Sequence, residues 1–461
     1  MAARFVPIER DTPLLLPPDL RDWVPATHLV HFVLDAVAEL DLKQVKVNQR
    51  GTGSEQYPPT MLLALLIYSY ATGTFGSRRI EQSTYDSVPV RVLTADTHPD
   101  HDTICAFRRN NQALFKESFV KVLQLAQELK VLQVGDLTVA VDGTKVLANA
   151  SKHAAVSYEY AGQRIAQLEL EVQQLVAKAE QADRIPLRDG LNLPDEIARR
   201  VERKAALAKA RAEIEARAQA RHVVEMAEYQ EQLAARAAKQ ERRERVGGRA
   251  PQAPTPEPKG TDQYNFTDAE SRIMKAGNGN HFEQCYNAQA AVEVASRFIV
   301  GERVSQAPND KQELVADLHA IPTEVGTVAT VLIDNGFYSA QAVQAVEQTG
   351  PTTVYAAMEK TGHHRSVADL EQKPEPPAPP AGASVGEVMR HRLATTVGKE
   401  QYKLRQQTVE PVFGILKSVL GFRQFLLRGM EKVRLEWTLL CTAYNFKRLH
   451  RLGGFKLAVA G

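Results

Sequence analysis

Between residues 158 and 246 the chain almost stops using strand formers. Ala, Gln, Glu and Arg dominate there, whereas β-branched and aromatic residues dominate short runs on either side. A fold that pairs strands from before this stretch with strands after it must carry the whole stretch as an insertion. That constraint outweighs any propensity argument along the chain. Leu168, Leu170, Val172, Leu175 and Val176 give the stretch a helical stripe, and Pro186 to Pro194 around Asp189-Gly190 breaks it. The expectation is a long helical hairpin over 158–246, with the second helix running from about Asp195 to Arg245. GGRAPQAPTPEPKG, residues 247–260, is then a flexible return linker.

The strand that opens before the insertion is DLTVAVDGTKVLANAS, residues 136–151, where Leu137, Val139 and Val141 alternate. Asp142-Gly143 falls at its end or in its turn. After the linker, TDAESRIMK (267–275) is polar and loop-like, while CYNAQAAVEV (285–294) and RFIVGERVS (297–305) read as strands. A helix follows from Asp310 to Ile321. TVATVLIDNGFYS (327–339) is a buried strand that ends at Asp334, with Gly336 in the turn and Ser339 capping a helix over Ala340 to Gln348. TTVYAAM (352–358) is a further strand. Glu359 to Arg392 reads as irregular, with an extended Pro-rich core at 374–382.

Residues 1–135 are mostly helical, after a Pro-rich start (Pro13, Pro17, Pro18, Pro25). Leu29 to Leu40 is apolar-periodic, MLLALLIYSYATG is a buried helix ending at Gly73 or Gly76, and Gln112 to Leu129 is amphipathic. Asp100 or Asp102 caps the helix that carries Phe107 and Arg108. Arg78, Arg79, Arg108 and Arg109 lie on short helices, a placement that suits contact with DNA phosphates; the alternative is pairing with Glu81, Asp100 and Asp102. From 393 onward the chain is helical again, with Trp437, Leu439, Leu440 and Tyr444 at core spacing.

Charge sharpens this picture. Thr396 to the C-terminus holds twelve Lys/Arg against four Asp/Glu, while the whole chain is only +2. Arg199 to Arg249 holds fourteen against eight. Either a polyanion contact or a solvated helix surface accounts for such basic stretches. Cys105, Cys285 and Cys441 are far apart and form no CxxC pair, which fits a reducing cytosol and argues against a zinc site or disulfide framework. The longest apolar run, Met61 to Tyr70, is too short to span a bilayer, so no membrane partner is expected.

Two acids thus end strands that can neighbour one another. A third, Glu410, sits in YKLRQQTVEPVFGILK (402–417) among Tyr402, Lys403, Arg405 and Lys417. Glu410 and Lys417, seven apart, share a helix face. Pro411 disfavours α geometry at Glu410, which places Glu410 at a helix start or a kink. Three carboxylates brought together suit hard divalent cations that handle phosphate oxygens.

In this order the segments resemble the DDE transposases of bacterial insertion sequences. VDGTKVLANASKH resembles the family's first-Asp segment, TDAESRIMK, CYNAQAAVEV and Asn309-Asp310 its middle section, and LIDNGFYS its second-Asp segment. Y-x2-R-x4-E-x6-K, then GFRQFLLRG and EW, resemble its Glu segment. SRRIE and PDHDTICAFRR resemble the helical DNA-binding module that precedes such domains. The resemblance implies an α/β fold with an RNase H-like mixed sheet (136–157 and 261–452), an N-terminal all-helical domain (1–135) and the helical-hairpin insertion. It implies Asp142, Asp334 and Glu410 as catalytic, metal-holding residues, with Mg²⁺ as cofactor and Mn²⁺ as a possible substitute. Tyr402, Arg405, Lys417, Lys145 and Asn149 are then contacts to DNA. The implied partners are double-stranded DNA (terminal inverted repeats and target) and a second copy of the chain in a synaptic homodimer, in the bacterial cytoplasm. The rival readings are a domesticated, non-cleaving DNA-binding protein and an RNase H-like nuclease without strand transfer.

Overall fold

The computed structural model describes residues 19–40, 45, 56–181, 192–241, 249–276, 281–358, 375–380 and 382–453. Most of the Pro-rich start and the break after residue 181 lie outside these residues. The chain divides into two compact units, Met1–Val146 with Asn287–Gly461, and Leu147–Tyr286.

The first unit begins with six helices: α1 (Leu29–Ala38), α2 (Pro59–Ala71), α3 (Ser77–Asp86), α4 (Val88–Leu93), α5 (His101–Asn110) and α6 (Gln112–Glu128). Helix α2 is apolar on every side, and Leu62 through Ala71 are all buried. A helix of that kind needs neighbours all round. It ends before Gly73, where φ is +85° and a β-carbon would lie 2.8 Å from the Leu420 carbonyl oxygen, leaving no room for a side chain. Asp100 caps α5, its carboxylate accepting from the Thr103 amide at 2.8 Å.

Strand β1 (Asp136–Leu147) follows. Beyond the other unit come β5 (His281–Glu293), β6 (Ile299–Ser305), α9 (Leu314–His319), β7 (Thr327–Ile333), α10 (Ala340–Thr349), β8 (Thr353–Ala356), α11 (Val385–Ala394), α12 (Thr396–Gly414), a π turn over Ile415–Val419, and α13 (Met430–Arg451). Between β1 and β5 lie β2 (Ala155–Ser157), α7 (Tyr158–Gln181), α8 (Leu193–Glu241), β3 (Gln263–Asn265) and β4 (Arg272–Ala276).

The main sheet has the order β4-β5-β1-β7-β8, with β6 also on β5. β5 pairs antiparallel with β4 through its first half and with β6 through its second. β1 and β7 run parallel, as do β7 and β8. This is a mixed sheet in which β1, β5 and β6 form a meander and helices carry the later crossovers. It is consistent with an RNase H-like DDE domain.

Helix α13 supplies the floor. Trp437, Leu439, Leu440 and Tyr444 are buried, as their spacing indicated. The Trp437 indole donates to the Gln289 carbonyl at 3.0 Å, and the Asn445 amide makes two bonds to the backbone of Ile299. Phe32 of α1 meets Phe446 at 6.0 Å, and Lys447 reaches the end of α2 at Ala71. The helical N-terminal region and the sheet thus share one core, each buried Leu or Phe adding about 2 kcal/mol.

In the second unit α7 and α8 form the expected hairpin. Its core is Ala161, Leu168, Leu207, Ala210 and Ile214, with Val156 and Tyr264 from the small β2-β3 ribbon. Arg200–Glu171 and Lys204–Glu169 pair across the two helices. α8 has 49 residues and would extend about 74 Å at 1.5 Å per residue. The packing stripe is not the expected one. Leu168 is buried, but Leu170 is 60% and Val176 42% exposed, because the hairpin presents only one narrow seam to its partner helix.

Three further expectations change. TDAESRIMK is a loop only in its first half, since Arg272–Ala276 pairs with the first half of β5 and Met274 is buried. The stretch up to Arg392 is not all irregular. Ser384 and Glu387 form a reciprocal capping box that starts α11, a signal readable as S-x-x-E. The helix expected from Asp310 begins only at Leu314, because the Asp310 carboxylate turns toward β5 instead of capping it.

Candidate active site

Asp142 does not end its strand. β1 continues for five residues past it, while the β1–β7 ladder stops at Ala140. Asp142 therefore stands just beyond the point where the two parallel strands part. Gly143 is not a turn residue either. A β-carbon built there would lie 2.6 Å from the Gln289 amide and 2.7 Å from Asp310. The glycine is required by close approach within a strand. Asp334 follows directly on Ile333, the last residue of β7, as expected, and its carboxylate accepts from the Phe337 amide at 3.2 Å across the turn.

Glu410 lies well inside α12, and the helix runs through Pro411 to Gly414. Neither a helix start nor a break at Glu410 is found. Proline removes one N–H from the ladder, and the helix absorbs this near its C-terminus before passing into the π turn that carries Lys417. Tyr402, Arg405 and Glu410 consequently share one helix.

Arg405 joins the three acids. Its Nη2 lies 2.9 Å from Asp142 and 3.8 Å from Asp334, and its Nη1 lies 3.7 Å from Glu410. The Arg405 side chain is 8% exposed, against 19% for Asp142, 40% for Asp334 and 57% for Glu410. The acids thus form the open rim and the guanidinium the buried centre. Burial pushes the Asp142 carboxyl up to about 7; Arg405 opposes this, and the carboxylates of Asp334 and Asp310 reinforce it. Burial also raises the Tyr402 phenol.

Among the described residues, no three His, Cys, Asp or Glu side chains stand close enough together to hold a metal ion. The guanidinium, rather than a shared ligand geometry, brings Asp142, Asp334 and Glu410 to one place. As a donor set, three carboxylates with solvent access fit a hard divalent cation that keeps open positions.

The remaining residues expected at the site divide. The Lys417 ammonium donates to the Lys145 carbonyl at 2.8 Å. Lys145 itself points to Asp310, 3.5 Å away. Asn149 belongs to the second unit, at a bend just after β1. Arg78, Arg79 and Arg109 are exposed on α3 and α5. Arg108 is not, at 3% exposure; it donates to the Tyr70 hydroxyl at 2.8 Å and to the Phe75 carbonyl. Tyr70 donates to Glu436, whose other oxygen accepts from the amides of Leu426 and Leu427. Arg108 is part of a buried network and is turned away from any phosphate. Glu81 accepts from His101 at 2.8 Å, and His98 stacks on Tyr85.

Asn287 and Gln289 join Asp310 beside these residues, both donating to its carboxylate. Their signal was the polar pair at i and i+2 on one face of an otherwise apolar strand, since the chain reads Asn287-Ala-Gln289-Ala.

No curated protein and no solved structure matches the chain. Two family models do. One, described as "Transposase DDE domain", matches residues 380–450, which include Arg405, Glu410 and Lys417. The other, described as "Transposase domain (DUF772)", matches residues 18–110, the region of α1 to α5. No helix among the described residues is long and apolar enough to cross a membrane. With a transposase match toward either end and a mixed sheet between them, the matches support the resemblance to an insertion-sequence DDE transposase.

Proposed function

We propose that this chain binds the ends of its own element and catalyses divalent-metal-dependent phosphodiester cleavage and strand transfer, with Asp142, Asp334 and Glu410 as the acids. The carrying observation is the approach of all three carboxylates, from β1, β7 and α12, to the one guanidinium of Arg405. Structural acids scattered over three elements have no reason to meet at one solvent-open point.

Asp142, Asp334 and Glu410 would hold Mg²⁺, or Mn²⁺ in its place. Such ions, when bound, activate a water or 3′-hydroxyl and offset charge on the leaving oxygen. Ligation requires Asp142 to be ionised, and its raised pKa keeps part of the population protonated near neutral pH. Arg405 shares the same oxygens, so a cation held there would loosen its grip on them. Arg405 is then free to meet a phosphate with the bidentate geometry that suits a guanidinium. Lys417 and Tyr402 flank it on the same chain segment. The double-stranded DNA is gripped by exposed cations of α3 and α5, namely Arg78, Arg79 and Arg109. A homodimer would bring two ends together through the hairpin, where Leu170, Val201 and Val223 are exposed. Deleting the hairpin then abolishes end pairing while single-end binding survives.

The test is cleavage of DNA carrying the element's end, in Mg²⁺ and in Ca²⁺, by wild type and Glu410→Ala. Nicking at the boundary in Mg²⁺, lost in Ca²⁺ and in the variant, supports the reading. Binding without cleavage under every condition replaces it with a non-cleaving DNA-binding protein. Cleavage without a joined product replaces it with a nuclease.

A further inference from the structure

Behind Asp142, on the side of β1 that Gly143 leaves open, a second polar cluster is built around Asp310. Asn287 donates to its carboxylate at 2.6 Å and Gln289 at 2.8 Å, and the Lys145 ammonium stands 3.5 Å away. Asn287 and Gln289 are fully buried, and the oxygens of both side-chain amides have no hydrogen-bond partner. Two buried amides with idle oxygens are costly. They are retained on β5, both donating to one carboxylate, with Asn287 donating also to the Ala307 carbonyl at 3.2 Å. That carboxylate in turn sits where a β-carbon at residue 143 would be. The same Lys145 accepts Lys417 on its backbone oxygen. Burial lowers the Lys145 ammonium pKa, and Asp310 is the strongest opposing influence.

We propose that Asp310 is a positioning residue of the site: anchored on Asn287 and Gln289, it holds Lys145 and so fixes the β1 segment that presents Asp142 and docks Lys417. Resting on the triad reading above, this assigns Lys145 an internal role instead of a contact to DNA. Lys145 is only 18% exposed, and a carboxylate already balances its charge. A cation facing phosphate needs the opposite on both counts. Asp310 itself touches neither Asp334 nor Glu410 in any ion pair or hydrogen bond among the described residues. Its effect passes through the strand, as outer partners of ligating groups commonly act.

The full-length protein is titrated with Mn²⁺ alone, read by electron paramagnetic resonance, and its melting is followed in parallel. Asp310→Ala and Lys145→Met each weaken Mn²⁺ binding about tenfold. The double variant is no weaker than the worse single one, because both act through one contact. Asp310→Asn keeps the shape and carries the test if Asp310→Ala fails to fold. In DNA binding, Lys145→Met leaves the slope of log affinity against log salt unchanged; a phosphate contact would lower it by roughly 0.9. Unchanged Mn²⁺ affinity with only a lower melting temperature, additive losses in the double variant, or a reduced salt slope overturns the proposal. Asp334→Asn separates the two levels. If it abolishes Mn²⁺ binding and Asp310→Ala does not weaken it, only the positioning role falls. If wild type binds no Mn²⁺, or Asp334→Asn binds it as well as wild type, the triad reading falls and this proposal with it.

Discussion

Arg405 and Asp142 meet at 2.9 Å across the junction of a helix and a strand, one the most buried cation of the site and the other a carboxyl pushed up to about 7. Their pairing sets how the site responds to acid. A protonated Asp142 cannot ligate, so divalent-cation binding is expected to weaken as pH falls through about 7. In Arg405→Ala the carboxyl loses the cation that holds it down. The midpoint then moves upward by roughly one unit or more. Mn²⁺ titrations at several pH values check this, and a midpoint that stays put would show that Arg405 does not govern Asp142.

Gly143→Ala should disable the site without unfolding the chain. The new methyl has to displace the Gln289 amide or Asp310, both held in place. Overpacking of this kind costs about 1–3 kcal/mol. Melting followed by circular dichroism should report a loss in that range, together with weaker Mn²⁺ binding. Full stability with normal binding would mean the cluster yields easily.

Arg108 and Arg109 are adjacent and should separate cleanly. Arg109→Ala is expected to lower the salt slope of DNA binding by roughly 0.9 and to leave stability nearly unchanged. Arg108→Ala removes the guanidinium that donates to the buried Tyr70–Glu436 pair, at a cost of about 1–3 kcal/mol. Chemical denaturation and DNA titrations on the two variants decide it. An Arg108→Ala protein of wild-type stability with weakened DNA binding would reverse the assignment.

Glu302 on β6 is held at about 7 by burial, opposed by the Thr438 hydroxyl that donates to it at 2.7 Å. Its folded pKa lies above the ordinary value of 4.5. The folded state therefore binds its proton more tightly than the unfolded state does. The stabilisation is complete below about 4.5 and is lost as pH rises through about 7. Glu302→Gln should remove that decline and raise stability at pH 8 by roughly 3 kcal/mol, since the rise from 4.5 to about 7 counts about 1.4 kcal/mol per unit. Melting curves from pH 5 to 8 that fall in parallel for both proteins would assign the decline to another group.

Much of this arrangement was legible in the residues. Alternation in β1 and β7, the Ser339 cap and the spacing of Trp437 to Tyr444 depend on local periodicity, which a sequence carries openly. What escaped notice depended on contacts far along the chain. Asp142-Gly143 has the composition of a turn, yet the glycine serves a side chain more than 140 positions away. Arg108 has the spacing of a surface cation, and only Tyr70 and Glu436 explain its burial. Pro411 argues locally for a helix boundary, and packing of Val409, Val412 and Phe413 into the core overrides it. Residue type alone likewise could not place Arg405 among all three acids.

The order of synthesis gives the packing of α13 a temporal meaning. That helix closes the core beneath α2 and β6, and the helix before it brings Arg405 to an aspartate 263 residues earlier in the chain. At ~5–20 residues per second, a growing polypeptide spends about 15–50 s with Asp142 made and its guanidinium partner not yet translated. During that interval the nascent protein has its N-terminal helices, with Arg78, Arg79 and Arg109 exposed, but an unfinished site. Under the proposed function, any early contact with nucleic acid would precede the assembly of the three acids, because Arg405 and Glu410 are made more than 260 residues after Asp142.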